Sequence, residues 1–411
     1  MRTSPTISPR PGRPRVPWAL LGSLYMTQAL SLGFFFVALA AILRSGGASL
    51  AQLGLISALG LMWALKVLWA PLVDRWAWGR LGHERGWVIA MQGAMLLTLL
   101  ALMRFDPLAD FAVVYALSLL LSVLAATQDV ATDALACRLL PAGQRGLGNA
   151  VQVGGGLAGH MLGGGVVLML YPLVGWAGAL ALVSAGVALS LIQALAWHEP
   201  GHARAPAPPF SWRLWIAPGG GRWWALLALS GVGLGVTWAL VTPLLVDAGW
   251  SLERIGLVMN GVGPLVGVGA AAGTGLLIRA WGRGPVLGLM AAGQGVVLLG
   301  LLAATTPAFA EPAFLVVLPL LFVLYGIQMT VLYTVMMDHA GSDAPGAAMT
   351  SQYALHYLFT TLWGWGGLQV ADHAGFPMAV GAALALAGLF AALLPVLLAR
   401  PPSPLIPETL E

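Results

Sequence analysis

Long apolar runs recur from residue 17 to residue 399, each interrupted by a short stretch rich in Gly, Pro, Arg or Asp. A helix needs about 20 apolar residues to cross the ~30 Å hydrocarbon core of a bilayer. Twelve runs reach that length, at approximately 17–43, 51–74, 87–104, 111–137, 148–171, 174–197, 222–247, 252–279, 284–304, 312–338, 347–371 and 377–399. The pattern predicts an all-α integral membrane protein. Its longest polar interruption, "HEPGHARAPAPPFSWRLWIAPGGGR" (198–222), divides the spans six and six. The expected organisation is a disordered tail at 1–16, a six-helix bundle at 17–197, a linker at 198–221, a second bundle at 222–400 and a tail at 401–411. No cleavable signal pattern follows the Pro- and Arg-rich start.

Composition agrees with this class. Hydrophobic residues make up 59% of the 411 and charged residues 8%, with a mean hydropathy of +0.87. A soluble domain carries about 25% charged residues. The 54 glycines suit helices that approach closely in lipid. A single cysteine, Cys137, excludes an intramolecular disulfide. The pI near 9.6 does not point to nucleic acid, because the basic residues lie in short loops between spans. With the N-terminus inside, fifteen arginines fall on the inner side, and only Arg44, Arg104 and Arg254 fall outside. This positive-inside bias places both termini in the cytoplasm.

The two halves repeat. "SLAQLGLI" (49–56) recurs as "SLERIGLV" (251–258), and "WGR" (78–80) recurs at 281–283. Gln92 corresponds to Gln294, Gln128 to Gln328, Gly146 to Gly346 and Gln152 to Gln352. Two parallel six-helix repeats are the build of a secondary transporter whose substrate site lies between the halves near mid-membrane.

The loop "PLVDRWAWGR" (71–80) resembles the signature between spans two and three of the major facilitator superfamily. There Asp74, Arg75 and Arg80 are expected to form a cytoplasmic gate, with Asp74 facing a helix N-terminus or a basic partner of the other half. The second copy, "LLIRAWGRG" (276–284), lacks the Asp. "LKVLWAPLVDRW" (65–76) with "ATQDVATDALACRLL" (126–140) resembles the branch holding the AmpG muropeptide permeases and acetyl-CoA transporters. Within it, the form of the second motif is most similar to the RhtX/FptX-type siderophore importers. The resemblance implies a twelve-helix major-facilitator symporter of a bacterial inner membrane that imports a ferric siderophore of the pyochelin type. A muropeptide or other amphiphilic-metabolite permease is the alternative. No cofactor is implied beyond the proton gradient, and iron enters only as part of the substrate. The expected partners are that small molecule and membrane lipid, with no nucleic acid, and the chain is expected to be monomeric.

Two acids stand one helical turn apart in span four, Asp129 and Asp133, on one face. Lys66, the sole lysine, lies at matching depth in span two. A lone charge there costs at least a few kcal/mol, so opposite charges should pair. Two readings stay open: a structural ion network, or a carboxylate that exchanges its partner for a proton during transport. Other intramembrane polar or aromatic residues are candidates for substrate binding: Tyr25, Gln28, Gln128, His160, Trp238, Gln328, Tyr333, Gln352, His356 and Trp363. In the superfamily, spans one, four, seven and ten line the cavity, flanked by two, five, eight and eleven. Each of these residues has an ordinary alternative as a helix–helix hydrogen bond or a packed ring.

Other classes fare worse. Asp129-x-x-x-Asp133 could suit the Mg²⁺-diphosphate chemistry of an intramembrane prenyltransferase, but no second Asp-rich cluster exists. No nucleophile triad, Walker motif, CxxC or His-rich metal cluster is present, so catalysis and ATP-driven transport by this chain alone are not expected. The glycine-rich "GNAVQVGGGLAGHMLGGG" (148–165) lies within span five and reads as close helix packing or a flexible gating helix.

Overall fold

The computed structural model describes residues 16–78, 81–200, 220–341 and 343–398, and those residues contain helices and no strand. The first half comprises α1 (Trp18–Ser45), α2 (Ala51–Leu68, continued by Ala70–Arg75), α3 (Glu84–Leu102), α4 (Phe111–Leu139), α5 (142–174) and α6 (176–196). The second comprises α7 (Gly220–Asp247), α8 (Glu253–Trp281), α9 (Arg283–Ala304), α10 (Pro307–His339), α11 (Pro345–Ala374) and α12 (Phe376–Leu398). The expected tails and linker lie almost wholly outside the described residues, as does Arg80.

Two of the twelve spans are not obvious from length and apolarity. Helices α5 and α6 form one 55-residue helical stretch, Ala142–Ala196, interrupted where Gly175 takes φ 66° and ψ −169° just after Pro172. Leu30 of α1 lies beside both Gly163 and Gly186. A straight helix would hold those glycines about 34 Å apart at ~1.5 Å per residue, so the chain doubles back at Gly175. Helix α11 is long enough, at 30 residues, but carries Thr350, Ser351, Gln352, His356, Thr360 and Thr361 along its length. Its polar face explains its weak apolar signature.

Glycine sets how closely the first and fifth spans of each half approach. A Cβ on Gly159 or Gly163 of α5 would overlap the backbone carbonyl of Met26 or Leu30, and one on Gly33 of α1 would overlap that of His160. In the second half a Cβ on Gly235 of α7 would overlap the carbonyl of Thr360 on α11. Backbone therefore meets backbone, as in small-residue packing between membrane helices. The repeated glutamines do matching work. Gln128 donates to the Leu24 carbonyl of α1 at 3.1 Å, and Gln328 donates to the Ser230 carbonyl of α7 at 2.9 Å. Gln92 donates to Thr27 of α1 and Gln294 to Ser230 of α7. In each half, the third and fourth helices thus clasp the first through side-chain amides.

Helix α2 departs from the expected single span. It breaks at Gly60, and Lys66–Leu68 forms a 3-10 turn before the helix resumes at Ala70. Pro71 has no N–H to offer the carbonyl of residue 67. Lys66 therefore projects from an interrupted helix, and its depth does not follow from counting residues along a regular one.

Candidate functional site

Helix α4 presents the chemistry. Its stretch "AATQDVATDALA" (125–136) is rich in Ala, the best helix former, and Ala keeps the neighbouring helices close. The four-residue spacing puts Asp129 and Asp133 on one face, and both are buried. Asp129 Oδ2 pairs with Lys66 Nζ, and Oδ1 accepts from Gln28 Nε2 at 2.6 Å. Lys66 is 1% exposed, and its ammonium stands 4.5 Å from the centre of the Tyr353 ring on α11. This cation–π contact joins the first half to the second. Trp69 Nε1 donates to Thr127 Oγ1 at 3.0 Å and holds the interrupted part of α2 against α4. Asp133 has different partners: Oδ1 accepts from the Tyr25 hydroxyl at 3.1 Å and from Gln152 Nε2 at 3.0 Å.

Tyrosines continue the site into the second half. Tyr353 stands 6.0 Å from Tyr333 of α10 and stacks at 6.0 Å and 16° on Tyr357, one turn along α11. The hydroxyls of these three tyrosines make no hydrogen bond among the described residues. Trp238 of α7 meets Phe322 and Tyr325 of α10 edge-on, at 5.4 and 6.3 Å. Tyr325 lies two turns, about 12 Å at ~1.5 Å per residue, from Tyr333. Lys66, Asp129, Asp133, Tyr25, Gln28, Gln152, Tyr333 and Tyr353 thus form one polar and aromatic cluster that crosses the seam.

The remaining candidates sit elsewhere. Gln128 and Gln328 brace helices as described above. Gln352 accepts from Trp223 Nε1 at 2.7 Å and donates to the carbonyls of Met336 and Ala348. His356 Nδ1 lies 3.0 Å from the Leu227 carbonyl, and Trp363 Nε1 donates to the Ala228 carbonyl at 2.8 Å. All five satisfy groups within their own half. His160 is half-buried at the start of the π-helical turn Met161–Val166, and its ring makes no hydrogen bond among the described residues. Tyr353 and Tyr357 escaped the sequence reading. Their four-residue spacing on α11 was the available signal, one position on from Gln352 and His356.

The halves are closed on each other at their arginine-rich end. Asp74 Oδ1 and Oδ2 accept from the backbone N–H groups of Gly346 and Ala347, at 3.1 and 2.6 Å. The carboxylate thereby caps the N-terminus of α11, where unpaired N–H groups and the helix dipole favour negative charge. A Cβ on Gly346 would press on Asp74 at 3.0 Å, so this approach favours glycine. Arg145 of α5 pairs with Asp338 of α10 at 2.9 Å; Arg283 holds the same carboxylate at 2.9 Å and donates to the Ala142 carbonyl at 2.8 Å. Asp338 thus stands in the second half as an acidic partner of the first, where the second loop copy lacks its own Asp. Arg75 is exposed. Every hydrogen bond between the halves among the described residues lies at this end.

Asp74→Ala should loosen this closure. Charge-assisted hydrogen bonds contribute about 1.5–3 kcal/mol, which is a shift of roughly 10- to 150-fold in the closed-to-open ratio. Spin labels at Ala77 and Ala344 should read a single short distance in the parent protein and a second, longer population in the variant. An unchanged distance distribution would show that Asp74 does not hold the end shut.

The chain is similar to the anhydromuropeptide permease of Escherichia coli (strain K12), at 29% identity over 220 residues. That match spans 51% of this chain and 45% of the permease, so the chain covers about half the length of the curated relative it matches. Among solved structures, the human organic anion transporter MFSD10 matches with a TM-score of 0.75 at 16% identity, covering 94% of this chain and all of that one. The E. coli fucose:proton symporter matches with a TM-score of 0.68 at 14% identity, over 92% of this chain and 98% of that one. These similarities to solved structures speak to the fold. The model of the Major Facilitator Superfamily matches residues 21–364, and with twelve helices in two repeated halves among the described residues, this chain belongs to that family of membrane transporters.

Proposed function

We propose that this transporter carries an anhydromuropeptide-like solute, a sugar bearing a short peptide, across a bacterial inner membrane into the cytoplasm, driven by protons. The observation that carries the reading is the similarity to the anhydromuropeptide permease, taken with a seam-crossing cluster of matching chemistry. Sugar faces stack on aromatic rings, and Tyr333, Tyr353 and Tyr357 offer rings together with hydroxyls that bond no other described residue. The first half contributes Tyr25, Gln28 and Gln152, which also hold the two buried carboxylates in place. A solute held between these sets touches both repeats, which is what alternating access requires. With the arginine-rich end in the cytoplasm, the closed contacts described above correspond to an outward-facing state, ready to load from the periplasm.

The relatives reported above support the muropeptide alternative and add nothing to the siderophore reading. Uptake of radiolabelled anhydromuropeptide into right-side-out vesicles separates the two. We expect saturable accumulation that a protonophore collapses and that excess ferric pyochelin leaves unaffected. Accumulation of ferric pyochelin with no carriage of the sugar peptide would overturn the proposal and restore the siderophore importer.

A further inference from the structure

We infer that Asp133, rather than Asp129, carries the transported proton; this rests on the proton-coupled reading above. The first observation is a count of charges. The buried cluster holds two carboxylates one turn apart and a single cation. Lys66 pairs with Asp129. The nearby arginines of α4 and α5 are engaged elsewhere: Arg138 with Glu84 at 2.5 Å and Arg145 with Asp338 at 2.9 Å. A buried carboxylate without a counter-charge is strongly disfavoured, and a second ionised carboxylate on the same helix face adds repulsion.

The second observation is the geometry of the hydrogen bonds. Both donors to Asp133, the Tyr25 hydroxyl and the Gln152 amide, are neutral, and both meet the same oxygen, Oδ1. Oδ2 accepts nothing among the described residues. A neutral carboxylic acid has this form: its carbonyl oxygen takes two donors while the hydroxyl oxygen carries the proton. The titratable and charged groups around it are Asp129 and Cys137 on α4, Tyr25 on α1, Lys66 on α2, and Tyr333 and Tyr353 on α10 and α11. None of these except Lys66 supplies positive charge.

Coupling follows from the cation–π contact that reaches Lys66 across the seam. Tyr353 covers Lys66 from the second half, whereas Tyr25, Asp129, Asp133 and Gln152 all belong to the first. When the halves part at the arginine-rich end, Tyr353 leaves and water enters around Lys66. Asp133 can then ionise: its O–H bond breaks, the proton passes to water on that side, and Lys66 is shared by two carboxylates. Return to the outward-facing state restores the cover and requires a proton from the opposite side to reform the O–H bond on Oδ2.

Infrared spectroscopy of the purified protein in lipid nanodiscs reads this without any substrate. The parent should show a protonated carboxylic C=O band that shifts in D₂O. Asp133→Asn keeps an Oδ1 acceptor for Tyr25 and Gln152 and should lose the band, while the double variant Lys66→Met/Asp129→Asn should retain it. Gln152→Met, which removes one donor, should move the band to higher frequency. In vesicles, Asp133→Asn should exchange labelled for unlabelled anhydromuropeptide as the parent does, yet accumulate none against a gradient. A band that persists in Asp133→Asn and ignores Gln152→Met, or uphill accumulation by Asp133→Asn, overturns the assignment. Failure of the parent itself to exchange the sugar peptide overturns the solute reading instead, and the infrared result then decides the proton site alone.

Discussion

Replacing Lys66 by Met should remove nearly all uptake and most of the folded protein, and adding Asp129→Asn to the same chain should bring the folded protein back. The single change leaves a buried carboxylate facing only the Gln28 amide. Breaking a buried ion pair by removing one partner costs about 3–5 kcal/mol, a large share of the ~5–15 kcal/mol that holds a typical domain folded. The consequence is local as well. Lys66 sits on the 3-10 turn of the interrupted α2, where helical hydrogen bonding is weakest, so the pair with Asp129 and the Trp69–Thr127 bond anchor that segment to α4. In the double variant no lone charge remains, and the amide introduced by Asp129→Asn still offers an oxygen to Gln28. Thermal melting in detergent and vesicle uptake check the two halves of the statement. If the single variant melts like the parent, the pair does not hold α2; if the double variant folds but carries nothing, Lys66 or Asp129 acts on the solute or proton directly.

Gly159→Leu in α5 should prevent assembly of the first half, whereas Gly156→Leu, three residues earlier on the same helix, should be tolerated. A side chain at 159 has to displace the Met26 carbonyl of α1, while nothing lies within 4 Å of a Cβ at 156. Overpacking costs about 1–3 kcal/mol where side chains can yield. Here the obstacle is backbone, and moving α1 also pulls Tyr25 and Gln28 from Asp133 and Asp129. Size-exclusion profiles of fluorescent fusions should show a monodisperse peak for Gly156→Leu and aggregate for Gly159→Leu. Equal profiles would mean that α1 and α5 pack less tightly than their glycines imply.

Apolar run length made most of the fold legible in the sequence, because lipid forces every spanning segment to satisfy its own backbone as helix. The repeat could be read from Gln92, Gln128, Gln294 and Gln328, because amides that clasp the first helix of each half occupy matching positions. The α4 face was legible too, since four-residue spacing is a local property of a helix. The interruption of α2 was harder to see: Pro71 is plain in the sequence, yet the run stays apolar across it and hydropathy carries no trace of a 3-10 turn. The orientation of α11 was not legible. Which polar stripe of a helix meets the seam depends on its rotation against neighbours, and Gln352, His356 and Trp363 turn toward α7 and α10 partners while Tyr353 and Tyr357 turn toward Lys66 and each other. Long-range closure was partly legible. The loop motif alone points to Asp74 as a gate residue facing a helix N-terminus or a basic partner; the choice between them, and Asp338 as the shared partner of Arg145 and Arg283, required the three-dimensional arrangement.

Proteoliposomes holding the parent protein and a trapped pH-sensitive dye test the central claim, that solute and proton cross together. With the membrane potential clamped, adding anhydromuropeptide outside should acidify the lumen in step with its uptake, and an inside-alkaline gradient should drive the sugar peptide above its outside concentration. Uptake that leaves the lumen pH unchanged and never exceeds equilibrium would contradict proton-coupled transport by this chain.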